Sequence, residues 1–291
     1  MNKCRNKIEY IFSKKKRIVV IGDLHGDWQM TKNLFVKLGL IDLNQKWVAE
    51  PKDTIVVQLG DQLDGKGRNG PDAYGEMQIL DFLEEVHEQA EFYNGGIYSL
   101  LGNHEMMNIN CNFSYVSDKE LSKNRCFNFK PGGPLAKRLG CTRNVILKIG
   151  DFVFVHAGIL PKHIEKFKNS NSFIKKINES VREYLLNDNQ NNNILDLTYN
   201  NSDSMLWTRK YNQSSICDDI SKVKKFFKMK SIIVGHSVQE KITSRCKKNI
   251  WMVDVGLSKS MGESKTQVLE IWDNGEKLSS NNFKPFKIID L

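Results

Sequence analysis

Short runs of aliphatic and β-branched residues recur along the chain, each closed by glycine or a polar cluster, at residues 17–21, 54–59, 97–101, 145–149, 152–155, 231–234 and 250–253. Apolar runs of this length, bounded by turn formers, predict buried strands. Between the early runs, residues 27–40 and 75–91 carry a helical period instead. In the second of these, Ile79, Leu80, Leu83, Val86 and Ala90 fall on one face, the stripe a helix needs to cover a sheet. Strand and helix alternate, so the first hundred residues predict βαβαβ and an α/β fold.

After Gly102 the pattern loosens. Residues 108–133 are polar and rich in turn formers, and we expect a loop-rich insertion around 108–143. A hairpin follows at 144–155, turning at Gly150 and Asp151. Residues 164–186 predict one helix and 187–193, with five asparagines in seven positions, a polar linker. Near the end, Val268, Leu269, Ile271 and Trp272 precede Asp273-Asn274-Gly275, a strand and turn signal. No internal repeat is evident. The expected organisation is a basic segment at 1–16 and a single domain at 17–291.

Composition bounds the function more than the fold. The chain has 291 residues, 40% hydrophobic and 26% charged, ordinary for a protein able to bury a core. Its formal net charge of +9 gathers at 3–17 and 222–248 and suits anionic or phosphorylated partners. No aromatic-interleaved basic motif accompanies it, so nucleic acid is a disfavoured partner. Six cysteines, Cys4, Cys111, Cys126, Cys141, Cys217 and Cys246, form no CxxC pair, and we expect reduced, buried thiols rather than a disulfide framework or zinc ribbon. With no apolar stretch long enough to span a bilayer, an intracellular, cytoplasmic protein without a membrane partner is expected.

The chemistry lies where strands end. Each of the first three predicted strands runs into glycine followed by metal-ligand residue types: Gly22-Asp23-Leu24-His25-Gly26-Asp27, Gly60-Asp61-Gln62-Leu63-Asp64 and Gly102-Asn103-His104-Glu105. Two later ones end in Val155-His156-Ala157-Gly158 and Gly235-His236-Ser237. Loops at the carboxyl ends of such strands converge over one rigid edge. Asp23 and His25, two apart in what reads as an extended segment, would grip one ion. Asp61 offers two oxygens and so can bridge a pair, and Asn103, His156 and His236 would complete the ligands of the second ion. Imidazole, carboxylate and amide donors together favour two transition-metal ions, manganese, iron or zinc, over calcium. His87 and His163 read as surface residues.

These blocks, GDLHGD, GDQLD, GNHE, HAG and GHS in that order, resemble the calcineurin-like metallophosphoesterases. More narrowly, residues 100–105 with Met107 and Asn108, then 115–117, 129–136 and the 150–158 hairpin, are similar to the Shewanella-like branch of the phosphoprotein phosphatases. The resemblance spans about 17–269. It implies two mixed β-sheets packed face to face and flanked by helices, and a phosphomonoesterase acting on phosphorylated protein or peptide. A hydroxide between the ions would be the nucleophile, His104 the general acid, and Asp64 its hydrogen-bonding partner.

The family's arginine after the second Asp of GDxxD is here Gly65. A bidentate phosphate clamp is therefore absent from that position, and Arg68, or Lys66, would have to curl back to replace it. In Leu206-Trp207-Thr208-Arg209-Lys210, Arg209 matches the family's phosphate-binding arginine. Two other functions stay open: a dinucleoside polyphosphate hydrolase built on the same core, and a weakly active phosphoprotein-binding relative.

Overall fold

The computed structural model describes residues 4, 8–187, 192–262, 265–273 and 285–291. The chain opens with β1 (Ile11–Phe12) and β2 (Arg17–Ile21), then alternates α1 (Trp28–Lys37), β3 (Ile55–Gln58), α2 (Glu76–Glu91) and β4 (Gly96–Leu100). Next come α3 (Asn103–Ile109), α4 (Arg125–Phe129), α5 (Pro134–Thr142), β5 (Arg143–Asn144), and the hairpin β6 (Ile146–Ile149) and β7 (Phe152–Val155). Helices α6 (Pro161–Ile164), α7 (Ser170–Asn187), α8 (Asn192–Thr198) and α9 (Ile216–Phe227) follow. The chain finishes with β8 (Ser231–Val234), β9 (Thr243–Arg245), β10 (Ile250–Met252), β11 (Gln267–Trp272) and β12 (Phe286–Asp290).

Among the described residues, two six-stranded sheets result, in the orders β12-β11-β2-β3-β4-β5 and β1-β6-β7-β8-β10-β9. Both are mixed. β2 to β5 run parallel, joined by right-sized helical crossovers, whereas β11 pairs antiparallel with β2. Period-two alternation shows how the sheets stack. Leu147, Ile149, Phe152, Phe154, Ile233 and Trp251 join the core of the first sheet, which α1 and α2 also cover through Leu34, Phe35, Ile79 and Leu83. Their strand neighbours Ile146, Val153, Val155, Ile232 and Val234 face the other way, onto α5, α7 and α9. Two sheets therefore lie face to face between helical layers, as the resemblance implied.

Several expectations are corrected. The six cysteines are all paired, as Cys4–Cys141, Cys111–Cys126 and Cys217–Cys246. Partners 137, 15 and 29 positions apart carry no short-range spacing signal, yet the fold brings their Cα atoms to 5.0–5.3 Å, within bonding geometry. The basic segment is tied to the body by the first of these bonds and by parallel pairing of Ile11 and Phe12 with Lys148 and Ile149. Residues 164–186 are not one helix, because residues 165–169 are non-helical and separate α6 from α7. Part of the asparagine-rich linker, and Asn274-Gly275 of the final turn, lie outside the described residues.

The two histidines read as surface residues are structural. His163 is 1% exposed, accepting from Leu160 N through Nδ1 (3.1 Å) and donating from Nε2 to Asp203 O (2.8 Å). His87 is half-buried and accepts from Ile97 N at 3.0 Å. Among the described residues, no helix is long and apolar enough to cross a membrane.

Candidate metal centre

The strand tips meet at one edge of the sandwich, stitched by backbone bonds between loops. Leu24 N and His25 N both donate to Asp61 O (3.0 and 2.9 Å), and Gly235 N donates to His156 O (2.8 Å). Glu105 braces the second and third tips together. Its two carboxylate oxygens accept from the backbone nitrogens of Asp61, Gln62, Leu63 and Gly102 at 2.7–3.2 Å. Asp23 and His25 reach the centre through a tight turn rather than an extended segment, since His25 has φ 40° and Gly26 φ 68°. Asp61, Asp64 and His236 also sit at positive φ, 54°, 69° and 63°. Non-glycine residues rarely adopt this region, and clusters of it mark functional sites where the surroundings enforce the strain.

Asp61 stands at the middle. Its Oδ1 accepts from His104 N at 2.9 Å. Its Oδ2 lies 3.3 Å from His156 Nε2, 3.9 Å from His104 Nε2 and 4.0 Å from His25 Nε2. Ligand atoms of His25, Asp61 and His104, and of Asp61, His156 and His236, form two groups each within 4.8 Å. Asp61 belongs to both, as a bridging carboxylate must.

Hydrogen bonding fixes which ring nitrogens face inward. His156 Nδ1 is 2.8 Å from Leu59 O, an acceptor only, so Nδ1 carries the hydrogen and Nε2 presents a lone pair. That lone pair faces Asn103 Oδ1 at 2.9 Å and Asp61 Oδ2 at 3.3 Å. His236 Nε2 likewise donates to Trp207 O at 3.1 Å, leaving Nδ1 for the centre. Asp23 accepts from His236 N through both oxygens (3.3 and 3.1 Å). Electron-pair donors aimed at one another hold together only around positive charge, so the residues fit a pair of cations.

Electrostatics show where that positive charge can sit: burial lowers the pKa of His156, but the Asp61 carboxylate more than offsets it and the pKa is raised, so a proton on His156 stands where a cation would. Burial raises the pKa of Asp23 well above the ordinary carboxylate range, and Asp254 and Asp61 add to it. Burial opposes charge on Asp61 as well, but the imidazoles of His156 and His104 outweigh it and hold its carboxyl well below that range. For His25 and His236, burial pushes the pKa well down, with help from Arg68 and His156 respectively. Neutral imidazoles are the form that ligates.

Around this centre, His104 Nδ1 lies 2.7 Å from Asp64 Oδ2, so its Nε2 points toward Asp61. Asp64 Oδ1 accepts from Asn108 Nδ2 at 2.8 Å. The loop after Asp64 explains Gly65: a Cβ there would stand 2.3 Å from Ala73 O, because the loop closes on itself with Ala73 N donating to Gly65 O (2.7 Å). An arginine at 65 has no room. Arg68 returns to the centre instead, with Nη2 2.9 Å from His25 Nδ1 and its guanidinium 5.2 Å over the Tyr115 ring. Its Nε is buried without a partner, a donor awaiting an acceptor. Lys66 points outward, anchored by its backbone to Tyr115 O. Arg209 is exposed at the rim, its Nη1 3.4 Å from His236 O and 3.5 Å from Ser237 Oγ. Asp23, His25, Asp61, Asp64, Asn103, His104, His156 and His236 thus come together with Arg68, Arg209 lies at the rim, and Lys66 stays away from the centre. Sequence reading missed Glu105 as a brace, Asn108, Tyr115 and Asp254; the last follows β10 as Asp23 follows β2, a sixth strand-tip signal.

Comparison with known proteins bears on this arrangement. Residues 16–240 match the calcineurin-like phosphoesterases, a family that uses dinuclear metal sites. Shewanella-like protein phosphatase 2 of Arabidopsis thaliana is 30% identical, across 93% of this chain and 79% of its own. Shewanella-like protein phosphatase 1 of Plasmodium berghei is 27% identical, across 83% and 67%. Among solved structures, a cold-active protein tyrosine phosphatase superposes with TM-score 0.75 at 21% identity, over 92% of this chain and 77% of that one. The two sheets, the strand-tip centre and these matches agree: the chain belongs to the calcineurin-like phosphoesterases, within their Shewanella-like protein phosphatase branch.

Proposed function

We propose that this chain is a dinuclear-metal phosphomonoesterase that removes phosphate from serine, threonine or tyrosine side chains of proteins. The observation that carries the reading is the set of inward-facing electron pairs around Asp61, with His156 Nε2 3.3 Å from its Oδ2. Asp23, His25 and Asp61 would hold one ion, and Asp61, Asn103, His156 and His236 the other. When bound, such a pair supplies Lewis acidity that activates water and neutralises phosphate oxygens. Manganese, iron and zinc all suit the donors.

The chain's own residues do the rest. Asp64 holds His104 by its Nδ1 at 2.7 Å, so that Nε2 faces the centre and gives a proton to the departing oxygen. Arg68 binds the phosphate. A neutral His25 offering Nε2 inward keeps its hydrogen on Nδ1, donates to Leu63 O (3.3 Å), and ceases to accept from Arg68, which turns to the anion. Arg209 contacts phosphate from the rim. We read 17–291 as one catalytic domain. The three disulfides favour an oxidising compartment over the cytoplasm.

The test uses manganese-loaded protein on phosphopeptides, a dinucleoside polyphosphate and aryl phosphates. Phosphopeptide turnover is expected to exceed dinucleotide turnover, and the reverse order would transfer the assignment to the anhydride hydrolases. His104→Asn should lower kcat by about 10²–10⁴ on poor leaving groups, and far less on dinitrophenyl phosphate, which needs no proton. A metal-loaded protein inert on every substrate would leave phosphoprotein binding as the better account.

A further inference from the structure

Asp254 is a carboxylate at this edge that neither the resemblance nor the motif blocks account for. It follows β10, whose tip lies between the Asp23 and His236 loops. Val253 N donates to Val234 O at 2.8 Å, and Gln239 N donates to Asp254 O at 2.9 Å. On the other side, a Cβ on Gly22 would stand 3.1 Å from the Asp254 Cα, so its backbone abuts the residue preceding Asp23. The side chain is 1% exposed. Its Oδ1 accepts from Gly256 N at 2.9 Å, but Oδ2 is buried with no partner. The charges that act on it belong to the centre, Asp61, His156 and Arg68, and it acts in turn on Asp23.

A buried carboxylate oxygen with nothing to accept from is costly unless a cation or a donor fills the space before it. A purely structural aspartate at a strand tip would spend both oxygens on backbone nitrogens, as Glu105 does. We propose that Asp254 is a further carboxylate of the dinuclear centre, using Oδ2 to hold cations on the Asp23 side. This rests on the metal reading above and adds a group to it. Outer carboxylates of metal sites orient ligands and bound water, and losing one typically weakens binding about 10–100-fold.

The experiment is a manganese titration of chelator-stripped wild-type protein and Asp254→Asn, with thermal unfolding of each in the stripped and loaded states. Asparagine keeps the shape and the acceptor for Gly256 N but removes the charge. The expected result is two ions per chain in both proteins, with affinity about 10–100-fold lower in the variant. The stripped variant should also melt no lower than stripped wild type, because a carboxylate next to Asp23 has been neutralised. Equal affinity beside a lowered melting point in the stripped state would overturn the inference and make Asp254 a packing residue. A wild type that takes up no manganese would remove the dinuclear reading and this inference together, whereas a wild type that fills both positions beside an equally competent variant would remove this inference alone.

Discussion

At the scale of single residues, two histidines of the same type are put to opposite uses by what surrounds them. His104 keeps one nitrogen on a carboxylate, Asp64 Oδ2 at 2.7 Å, and leaves the other facing the centre. His163 has both nitrogens committed to backbone atoms in a sealed site, and burial lowers its pKa to about 4. An unfolded histidine titrates near 6.5. Between those values the unfolded chain holds a proton that the folded chain does not. The neutral His163 therefore contributes full stability above about pH 6.5, and the contribution is lost as pH falls toward 4. Urea unfolding at pH 7.5 and pH 5 should show wild type losing about 2 kcal/mol more than His163→Asn over that interval; identical losses would refute the buried-neutral assignment. The metal-ligand candidates were readable in the sequence because Asp, Asn or His within two residues of a glycine at five strand ends is a local pattern. The burial of His163 against a distant loop left no local trace, whereas Asp254 stands at a strand tip of the same kind and was overlooked.

Among the elements, α4 shows how a turn-rich stretch can serve a precise geometry. Its Arg125 is 4% exposed, donating from Nε to Asn108 Oδ1 (2.8 Å) and from Nη2 to Glu76 Oε2 (2.7 Å). Asn108 passes this on to Asp64, and Glu76 Oε1 accepts from Asp64 N at 2.8 Å. One guanidinium thus locks α2, α3 and α4 around the carboxylate that orients His104. Burial pushes the Glu76 pKa up to about 7 even with Arg125 opposing it. Arg125→Met should cost about 3–5 kcal/mol in urea unfolding, the usual penalty for stranding one partner of a buried pair. Adding Glu76→Gln should recover part of that loss, because the stranded charge is then gone. A double variant no more stable than the single one would mean that Arg125 acts by packing on Phe129 and not by charge. Periodicity revealed α1 and α2, whose apolar stripes bury against a sheet. It could not reveal α4, five residues long and organised by one buried cation, nor the two-residue strands β1 and β5 that only pairing defines.

Across the whole molecule, the covalent links were the least legible feature and carry the largest single stability terms. Cysteines 137 positions apart are made neighbours by the tertiary fold, so sequence spacing holds no record of the pairing. The same separation makes that bond the most effective constraint on the unfolded chain. Closing loops of 137, 29 and 15 residues removes unfolded-state entropy worth about 5, 3.6 and 3 kcal/mol, respectively, in the chain-entropy account. Paired serine replacements at each bond should destabilise the protein in that order when midpoints are converted with a common urea dependence. The Cys4–Cys141 pair carries a second consequence, since it ties the basic segment alongside β6 at the edge of the second sheet. Its loss should expose the amides of the β1–β6 pairing to hydrogen exchange while those of β2 to β4, in the other sheet, keep their protection. None of the three bonds touches the metal ligands, so activity measured well below the unfolding midpoint should persist in all three variants. A Cys4→Ser/Cys141→Ser protein as stable as wild type would show that the folded body holds the segment without the covalent link.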